Sequence, residues 1–327
     1  MNQDSSDHII RFITAFTMGN IMSPKNYHLI FEWADGGRLN DLFLKEKKPI
    51  LNGELVKRVA KQLEGLAIAL KAIHDANIRH GDLKPGNILR FHPTKKDVIG
   101  TLKIGDWGLT KYHSESSTVL RKEKGLHTTI KYGTPFYEPP EVDIGDITFL
   151  YDVWSMGCII LKIIIWLLYG YGGIIEFHND VKGSSKNGVP LYEREDSMGT
   201  EIGPSFKAKL RPIVLKWMDH INEQIVPDTA LRALLTLVRN RLLVVDLPER
   251  MANATSETDD LGTSVAKTSP SQPAETRAEK IARVPERATS RELAQNIKEK
   301  ILDDGKRPGD YWFREGPGRL IPSFSPR

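Results

Sequence analysis

Apolar residues form short β-like runs near the start of the chain and longer helical patterns after them. The runs HIIRFITAF (8–16) and YHLIFEW (27–33) are rich in β-branched and aromatic residues, and a turn containing Gly and Pro separates them. This pattern predicts two antiparallel strands. Segment 56–77 has apolar residues at helical spacing and predicts a long amphipathic helix. Two further short strands are predicted at 87–91 and 101–105, and later segments are predicted to be mostly helical.

One apolar run is long enough to raise the question of a membrane span. The run CIILKIIIWLLYGYGGII occupies 158–175, and a spanning helix needs about 20 apolar residues. Lys162 lies inside the run, and Gly170, Gly172 and Gly173 break its second half. A charged residue within a bilayer is costly. The run is therefore interpreted as a buried helix of a globular core, and no membrane span is expected.

Composition narrows the class of protein. Of the 327 residues, 40% are hydrophobic, which is enough for a sizeable core. The formal charge is +4, but Lys and Arg are interspersed with nearly as many acidic residues, so no nucleic-acid partner is expected. The single cysteine, Cys158, cannot form an internal disulfide, and no charged-then-apolar leader opens the chain. We therefore expect a cytoplasmic or nuclear location.

The composition changes in the last quarter of the chain. From about Ala252 to Pro285 the sequence is rich in Ser, Thr, Pro, Glu and Ala and has few large apolar residues, which is typical of a linker. The segment SRELAQNIKEKIL (290–302) again has apolar residues at helical spacing, and Ser290 and Glu292 suit a helix start. A short helix is predicted there.

Candidate chemistry is concentrated in the stretch HGDLKPGNILRF (80–91). Asp82 and Asn87 supply a carboxylate and an amide five residues apart, and a second carboxylate, Asp106, lies in KIGDWGLTK. Phosphoryl transfer needs a carboxylate that orients the acceptor hydroxyl and oxygen ligands for Mg²⁺. Either motif alone could be an ordinary turn, but their order and spacing favour phosphoryl transfer.

The catalytic stretch resembles two groups of phosphotransferases. HGDLxPGN resembles the loop of aminoglycoside and choline kinases, whereas xxDLKPxN resembles that of Ser/Thr protein kinases. YGTPFYEPPEV (132–142) resembles the peptide-docking and APE segment of protein kinases, which aminoglycoside-type enzymes lack, and YDVWSMGCII (151–160) resembles the start of their buried helix. The chain therefore resembles a eukaryotic-type Ser/Thr protein kinase domain, from late in the N-lobe through the C-lobe. A protein substrate is implied.

The resemblance assigns roles to the catalytic motifs. His80 stands at the first position of the HRD motif, and Asp106 stands at the first position of DFG. Asp82 would accept or orient the substrate hydroxyl, and Lys84 would neutralise charge at the γ-phosphate. Asn87 and Asp106 would hold the metal. ATP and Mg²⁺ are therefore the implied cofactors.

An adenine site is implied upstream of the catalytic loop. LIFEWADGGRLNDLF (29–43) resembles the hinge that binds adenine in protein kinases. By this resemblance Phe31 is the gatekeeper residue. Glu32 and Ala34 would present backbone groups to the purine, and Leu89 would lie beneath it.

The resemblance also implies residues that bind the substrate or support the fold. The substrate segment contains Gly133, Thr134 and Pro135. Asp152 would cap the backbone of the catalytic loop, and Glu141 would form a buried ion pair with an arginine near the end of the domain. Arg250 and Arg287 both follow a Pro-Glu pair, and the residues after Arg287 favour Arg287.

Several parts of the family pattern are not found in this sequence. We find no G-x-G-x-x-G loop, no lysine-bearing third strand and no helix with a partner Glu. Gly81 replaces the HRD arginine, Lys162 replaces a frequent acidic residue of the buried helix, and Arg38 lies where an acid often contacts the ribose. The chain is therefore interpreted as an N-terminally incomplete kinase domain.

We expect an α+β, protein-kinase-like fold with a mostly helical C-lobe and a remnant of the antiparallel β N-lobe. The expected domains are the N-lobe remnant at 1–33, the hinge and C-lobe at 34–250, a disordered linker or insertion at 251–286, and the terminal helix with a tail at 287–327. The expected function is Ser/Thr phosphotransfer to proteins, impaired in this chain. The alternatives are a non-catalytic, pseudokinase-like interaction module and, less favoured, a small-molecule phosphotransferase. The sequence leaves the oligomeric state open.

Overall fold

Helices provide most of the regular structure in the computed structural model of the chain. The structure describes residues 7–18, 26–112, 133–143, 147–185, 187–195, 207–245, 286–303, 307–316 and 320–324. The strands are β1 (Phe12–Met18), β2 (Asn26–Phe31), β3 (Ile78–Arg79), β4 (Ile88–Phe91), β5 (Thr101–Ile104), β6 (Lys111–Tyr112), β7 (Tyr192–Glu195) and β8 (Lys207–Leu210). The helices are α1 (Leu39–Lys45), α2 (Gly53–Asp75), α3 (Leu150–Lys182), α4 (Pro212–Gln224), α5 (Ala230–Leu237), α6 (Ser290–Asn296) and α7 (Gly309–Trp312). Helices α5 and α6 continue into π-helical turns at Val238–Leu242 and Ile297–Leu302.

The N-terminal hairpin confirms the predicted antiparallel pair, with shifted ends. β1 pairs with β2, whereas the residues before β1 pair with β5. The Ile10 N–H donates to the Ile104 carbonyl at 2.9 Å, and the Ile104 N–H donates to the His8 carbonyl at 2.8 Å. Because these backbone groups bond to β5, β1 begins only at Phe12, later than predicted.

The hairpin exposes an unusual amount of apolar surface. Its large apolar residues that are more than 40% exposed are Phe12, Ile13, Phe16, Met18, Tyr27, Leu29 and Ile30. Exposed apolar strands with an open edge favour association with other chains. Association of the isolated chain through this hairpin is therefore expected.

Helix α3 is the predicted buried helix and runs through the core for 33 residues. Trp154, Ile160 and Trp166 on this helix are at most 1% exposed. Gly170 has a φ of +69°, and an added Cβ there would lie 2.1 Å from the Lys47 carbonyl oxygen. Only glycine meets both requirements. The predicted break is thus present at Gly170, where a non-helical residue joins two helical segments at a kink.

Among the described residues, α3 is the one helix long and apolar enough to cross a membrane, judged by length and composition alone. In the structure, 83% of its most apolar window is buried inside the protein. Core helices of globular domains are apolar on all sides in this way.

Helix α2 confirms the predicted amphipathic helix and leads into the catalytic loop. It begins earlier than predicted, because the Asn52 side chain caps it by accepting from the Leu55 N–H at 2.9 Å. Leu63, Leu66 and Leu70 on its apolar face are fully buried. Helix α6 packs against α2 and confirms the predicted short helix after the linker.

β4 and β5 form the predicted pair, with Ile88 opposite Ile104. Beyond β5 the described chain is mostly helical, as predicted. The short hairpin of β7 and β8 in this region was not predicted. The predicted linker at 251–286 lies outside the described residues except for Glu286, so the domain boundaries stay predictions.

Candidate active site

The loop between β3 and β4 brings the predicted catalytic residues together around one carboxylate. Lys84 Nζ lies 2.6 Å from Asp82 Oδ2. The Asn87 side-chain amide donates to the same oxygen at 3.1 Å and to the Asp82 carbonyl at 2.8 Å. Thr134, from the predicted substrate segment, donates to Asp82 Oδ1 at 3.3 Å and accepts from Lys84 Nζ at 3.0 Å. The Asp82 carboxylate is thus oriented by both the catalytic loop and the substrate segment.

Asp152 on α3 fixes the backbone of this loop from inside the core. Its Oδ2 accepts from the His80 N–H at 2.8 Å, and its Oδ1 accepts from the Gly81 N–H at 2.8 Å. His74 Nε2 lies 3.0 Å from Asp152 Oδ2, and His74 Nδ1 lies 2.9 Å from the Ser290 hydroxyl. Burial alone would raise the pKa of Asp152, but the bonds from His74 and the loop hold it below its ordinary value. A buried anion therefore orders the catalytic loop.

Asp106 follows β5 in a left-handed backbone conformation, with a φ of +63°. Residues other than glycine rarely adopt this conformation, and such strain is concentrated at functional sites. The side chain is exposed, and Oδ1 accepts from the Gly108 N–H at 3.3 Å. The Gly105 N–H donates to the Asn87 carbonyl at 2.9 Å. Strand pairing therefore places Asn87 and Asp106 at the same end of the β4–β5 sheet.

The donor atoms at this end of the sheet fit a magnesium ion. Asn87 uses its amide nitrogen to contact Asp82, which leaves the amide oxygen as an acceptor. Asp106 offers an exposed carboxylate. Mg²⁺ prefers oxygen ligands and usually takes only one or two carboxylates together with phosphate and water. Asn87 and Asp106 are thus suited to hold Mg²⁺.

The four predicted adenine-site residues lie at the hinge and on the β4–β5 sheet. Phe31 ends β2, and Glu32 and Ala34 follow in the loop before α1. Within the described ranges, neither the Glu32 carbonyl nor the Ala34 N–H takes part in a backbone hydrogen bond. Leu89 lies on β4 and packs closely against Gly105. A Cβ added to Gly105 would lie 2.8 Å from Leu89 Cδ1. As far as backbone partners in the described ranges go, both groups are thus available to the purine that the resemblance implies.

A charged pair that the sequence does not predict borders the adenine site. Lys103 lies opposite Leu89 in the β4–β5 sheet, and its Nζ is 2.8 Å from Glu32 Oε1. Glu32 Oε1 also accepts from the Arg11 N–H at 2.8 Å. Burial alone would raise the pKa of Glu32, but Lys103 and Arg11 hold it below its ordinary value. The pair therefore ties the hinge and the N-terminal hairpin to β5.

The predicted substrate segment is anchored to the helical core. Gly133, Thr134 and Pro135 lead into two short 3₁₀ turns, Pro135–Tyr137 and Pro140–Asp143. The Ser155 hydroxyl on α3 donates to the Tyr137 carbonyl at 2.8 Å. The segment thus lies directly on the buried helix.

A buried ion pair joins the end of the substrate segment to the chain after the predicted linker. Both terminal nitrogens of Arg287 bond to Glu141, one of them at 3.2 Å. Arg287 also donates to the Val244 carbonyl at 2.7 Å and lies 4.9 Å from the centre of the Trp154 ring. The structure thus pairs Glu141 with the arginine that the sequence pattern favours. The competing Arg250 lies outside the described residues.

A buried lysine lies beneath the substrate segment. Lys162 on α3 is 6% exposed, and its Nζ donates to the Tyr137 hydroxyl at 3.1 Å. The same ammonium group lies 6.0 Å from the centre of the Phe136 ring. Burial lowers the pKa of Lys162 to about 8.

Sequence reasoning missed His74, Ser290 and Lys103. His74 and Ser290 lie 216 positions apart, so no local pattern connects them, although a histidine on the apolar face of α2 is a signal. Lys103 is flagged only by its charge within the otherwise apolar run around β5.

Comparison with known proteins agrees with this geometry. Residues 1–173 match the family described as protein kinase domain. The chain is 31% identical over 159 residues to Serine/threonine-protein kinase Nek9 of Mus musculus, covering 48% of this chain and 14% of the relative. It is 37% identical over 138 residues to Mitogen-activated protein kinase kinase 2 of Arabidopsis thaliana, covering 41% and 32%. It is 33% identical over 167 residues to Calcium-dependent protein kinase 6 of Plasmodium berghei, covering 51% and 10%.

Three features lie together on a helical lobe: an ordered loop with Asp82, Lys84 and Asn87, a turn with Asp106, and a substrate segment packed on α3. This combination defines the class of eukaryotic-type protein kinase domains. The chain belongs to the protein kinase domain family, and the relatives named above include Ser/Thr kinases. The expected fold class and family are thus confirmed. Members of this family use ATP and Mg²⁺ and act on protein substrates. The chain spans less than a third of the length of each of these relatives.

Asp106→Asn is expected to weaken Mg²⁺-dependent nucleotide binding by about tenfold or more, equivalent to about 1.4 kcal/mol. An amide is a poorer ligand for a hard cation than a carboxylate, and the exposed side chain makes few contacts that the change could disturb. Titration calorimetry with MgATP compares the native chain and the variant. Asp310→Asn, an exposed change in α7, is the matched control. Equal affinity of the native chain and Asp106→Asn would remove the assignment.

Lys162→Met is expected to raise the free energy of unfolding at pH 7 by about 1–3 kcal/mol. A lysine with a pKa of about 8 in the folded chain and 10.5 in the unfolded chain binds its proton less tightly when folded. That difference costs about 3 kcal/mol at pH 7, and the lost bond to Tyr137 offsets about 1 kcal/mol of the gain.

The pH dependence of this effect has a defined sign. Between about pH 8 and pH 10.5 the unfolded chain binds more protons at Lys162 than the folded chain does, so native stability rises with pH there. The difference between the native chain and Lys162→Met should shrink across that window. Urea unfolding of both proteins from pH 7 to pH 10 measures it. A constant difference, or a less stable variant at pH 7, would contradict the prediction.

Proposed function

We propose that this chain is the catalytic region of a Ser/Thr protein kinase that transfers the γ-phosphate of ATP to a hydroxyl group of a protein. The observation that carries the proposal is the contact of Asp82 with both Lys84 and Thr134. Lys84 belongs to the catalytic loop, and Thr134 belongs to the segment that would dock a peptide. The carboxylate thus lies where a docked hydroxyl would need to be oriented.

Each residue around this carboxylate has a part in the transfer. Asp82 would accept a hydrogen bond from the substrate hydroxyl and orient its oxygen for in-line attack. Lys84 carries three N–H donors, so it would contact Asp82 and also stabilise the negative charge on the transferred group. The Thr134 hydroxyl keeps the Asp82 carboxylate in place while the peptide docks.

The nucleotide would occupy the cleft between the hinge and the catalytic loop. MgATP supplies the transferred group, and its metal neutralises phosphate charge when bound. Asn87 and Asp106 would hold that metal. The Glu32 carbonyl and the Ala34 N–H would bind the polar edge of the adenine, and Leu89 would contact its face.

A non-catalytic interaction module is the second candidate, and the sequence favours it in one respect. Residues 1–327 contain no G-x-G-x-x-G loop, so the family's usual backbone contacts to the nucleotide phosphates have no source within them. The substrate segment and its Glu141–Arg287 anchor would still offer a protein-binding groove. A cytoplasmic or nuclear location is proposed for either candidate, supported by the single, buried Cys158.

A phosphotransfer assay tests the proposal. The purified chain and its Asp82→Asn variant are incubated with radiolabelled MgATP and with generic acidic and basic protein substrates. Slow transfer to Ser or Thr is expected for the native chain, and loss of the orienting carboxylate should slow it further, by about 10²–10⁴-fold. Asp310→Asn is again the matched control and should behave as the native chain.

Two outcomes would contradict the kinase proposal. Equal transfer by the native chain and Asp82→Asn would assign the signal to contaminating kinases. Binding of MgATP without any transfer, even after a Gly-rich loop and a lysine-bearing strand are added, would favour the non-catalytic module.

A further inference from the structure

Asp143 is a buried carboxylate at the end of the substrate segment. It closes the 3₁₀ turn Pro140–Asp143, and its side chain is 4% exposed. The Tyr192 hydroxyl donates to Asp143 Oδ2 at 2.7 Å. Arg194 contacts both carboxylate oxygens, with Nη2 2.9 Å from Oδ1 and Nε 3.2 Å from Oδ2. Such two-point, charge-assisted contacts are among the stronger hydrogen bonds in proteins, so β7 holds the end of the segment.

The strand that makes these contacts is itself fixed to the core. The buried Tyr192 ring meets the Trp154 ring of α3 edge to face, with 6.4 Å between the ring centres. Burial and the nearby Asp143 carboxylate raise the pKa of the Tyr192 hydroxyl, which therefore stays protonated and remains a donor. At the base of the hairpin, the Arg211 N–H donates to the carbonyl of the fully buried Leu191 at 2.9 Å. The β7–β8 hairpin thus offers the substrate segment a fixed support.

The turn at the end of the segment has two anchors, and both contact Trp154. Glu141 pairs with Arg287, whose guanidinium lies 4.9 Å from the centre of the Trp154 ring. Asp143 is held by β7, whose tyrosine meets the same indole ring. The hairpin lies beyond residues 1–173, the part of the chain that matches the kinase family. The second anchor is therefore supplied from outside the matched part.

The anchored turn determines where Thr134 lies. Two short 3₁₀ turns connect Thr134 to Asp143, and the Tyr137 N–H donates to the Thr134 carbonyl at 2.8 Å. The Thr134 hydroxyl donates to Asp82 Oδ1 at 3.3 Å. A shift of the turn at Asp143 would therefore move Thr134 relative to the catalytic carboxylate. Misplacement by about 1 Å can slow a reaction by about 10²-fold.

We propose that the β7–β8 hairpin positions the substrate segment for phosphotransfer, with Asp143 as the contact point and Tyr192 and Arg194 as positioning residues. The proposal rests on the proposed kinase function and adds residues outside the catalytic loop to it. The three side chains act through Thr134 and do not touch the reacting groups. Their loss should weaken docking of the protein substrate and leave nucleotide binding unchanged, because the nucleotide residues belong to the hinge and to the β4–β5 sheet.

Two conservative variants and a matched control isolate the contact. Tyr192→Phe keeps the ring against Trp154 and removes only the hydroxyl donor. Asp143→Asn keeps the shape of the side chain and removes its charge. Glu193→Gln makes the same carboxylate-to-amide change on β7, where the carboxylate faces basic residues of the hairpin, Lys209 and Arg211.

Hydrogen–deuterium exchange of the full chain reads the position of the segment without any need for phosphotransfer. The N–H groups of Tyr137 and Glu138 donate within the segment, at 2.8 and 3.2 Å. Both should exchange about tenfold faster in Tyr192→Phe and Asp143→Asn than in the native chain, because local opening is then easier. The N–H groups of α2 should exchange as in the native chain, and Glu193→Gln should leave both regions unchanged.

Kinetics separate positioning from a loss of stability. In the radiometric assay, Tyr192→Phe should raise KM for the protein substrate about tenfold and leave KM for MgATP within about twofold. Because transfer is expected to be slow, each KM then approximates a dissociation constant. A change that only destabilised the fold would lower the fraction of active protein, and hence kcat, without altering either KM.

Three outcomes would overturn the proposal: native exchange at Tyr137 and Glu138 in both variants, an unchanged KM for the protein substrate, or an equal effect of Glu193→Gln. The kinase activity is judged separately, by comparison with Asp82→Asn. Faster exchange in the variants without transfer by the native chain would retain the contact between hairpin and segment and reject the kinase activity. Transfer by the native chain with native exchange in both variants would do the reverse.

Discussion

A polypeptide of residues 1–327 is expected to transfer phosphate on the order of 10⁴-fold more slowly than a fusion in which a Gly-rich loop and a lysine-bearing strand precede it. The loop covers the phosphates, and the lysine contacts the α- and β-phosphates. Preorganised contacts of this kind contribute about 2.7–4 kcal/mol each to transition-state stabilisation. Losing two or more of them is therefore expected to slow transfer at least as much as Asp82→Asn does.

A radiometric assay with one protein substrate compares the initial rates. The fusion carries the corresponding strands of a related Ser/Thr kinase joined before His8, and its control has methionine in place of the added lysine. The control is expected to lose most of the gained rate. Transfer at the full rate by the original polypeptide, abolished by Asp82→Asn, would reject the prediction and show that the catalytic loop and Asp106 suffice.

Arg287→Ala is expected to lower the free energy of unfolding by about 3–5 kcal/mol. The substitution leaves the Glu141 carboxylate, which belongs to a residue only 5% exposed, without its counter-ion. It also removes two hydrogen bonds to the Val244 carbonyl, at 3.0 and 2.7 Å. The contact of the guanidinium with the Trp154 ring at 4.9 Å is lost as well.

Urea unfolding followed by tryptophan fluorescence measures this loss. Arg291→Ala is the matched control, because its ion pair with Asp75 is exposed, and exposed pairs contribute at most about 1 kcal/mol. Arg250→Ala should also have a small effect. A larger loss for Arg250→Ala than for Arg287→Ala would reject the pairing. Replacing Arg287 and Glu141 together by apolar residues should recover part of the loss, since no buried charge is then left unpaired.

The main helices and two of the hairpins could be predicted because each has a local pattern. The β-branched and aromatic runs in β1 and β2 and the helical spacing in α2 are properties of consecutive residues. The ends were predicted less well, because they depend on particular partners. Asn52 starts α2 before its first apolar residue, and Ile10 bonds to Ile104 on β5 instead of extending β1.

The hairpin of β7 and β8 could not be predicted from its residues. Its strands read YERE and KAKL, which are short and mostly charged, whereas strand prediction relies on β-branched and aromatic runs. The break at Gly170 was predicted, but the contact that requires glycine there was not. Glycine there permits close approach of the Lys47 carbonyl, a contact that a pattern within α3 does not reveal.

The candidate site was predictable where its residues share a compact motif. Asp82, Lys84 and Asn87 lie on one loop, so their spacing along the chain already implies that they are close in space. Asp106 joined them through the order and spacing of the two motifs. Thr134 joined them only through the resemblance to protein kinases, because it lies on a separate segment. The observed contact of Thr134 with Asp82 at 3.3 Å depends on how the substrate segment packs on α3.

The class of protein, the order of its catalytic motifs and the burial of α3 followed from the amino-acid sequence, because motif spacing and hydrophobic periodicity are local properties. The choice of partners required the folded chain. Arg287 pairs with Glu141 across 146 positions, and His74 contacts Ser290 across 216 positions. Such contacts depend on how the helices pack, and packing results from many weak interactions summed over the whole core. These long-range partners therefore cannot be predicted from a short stretch of sequence.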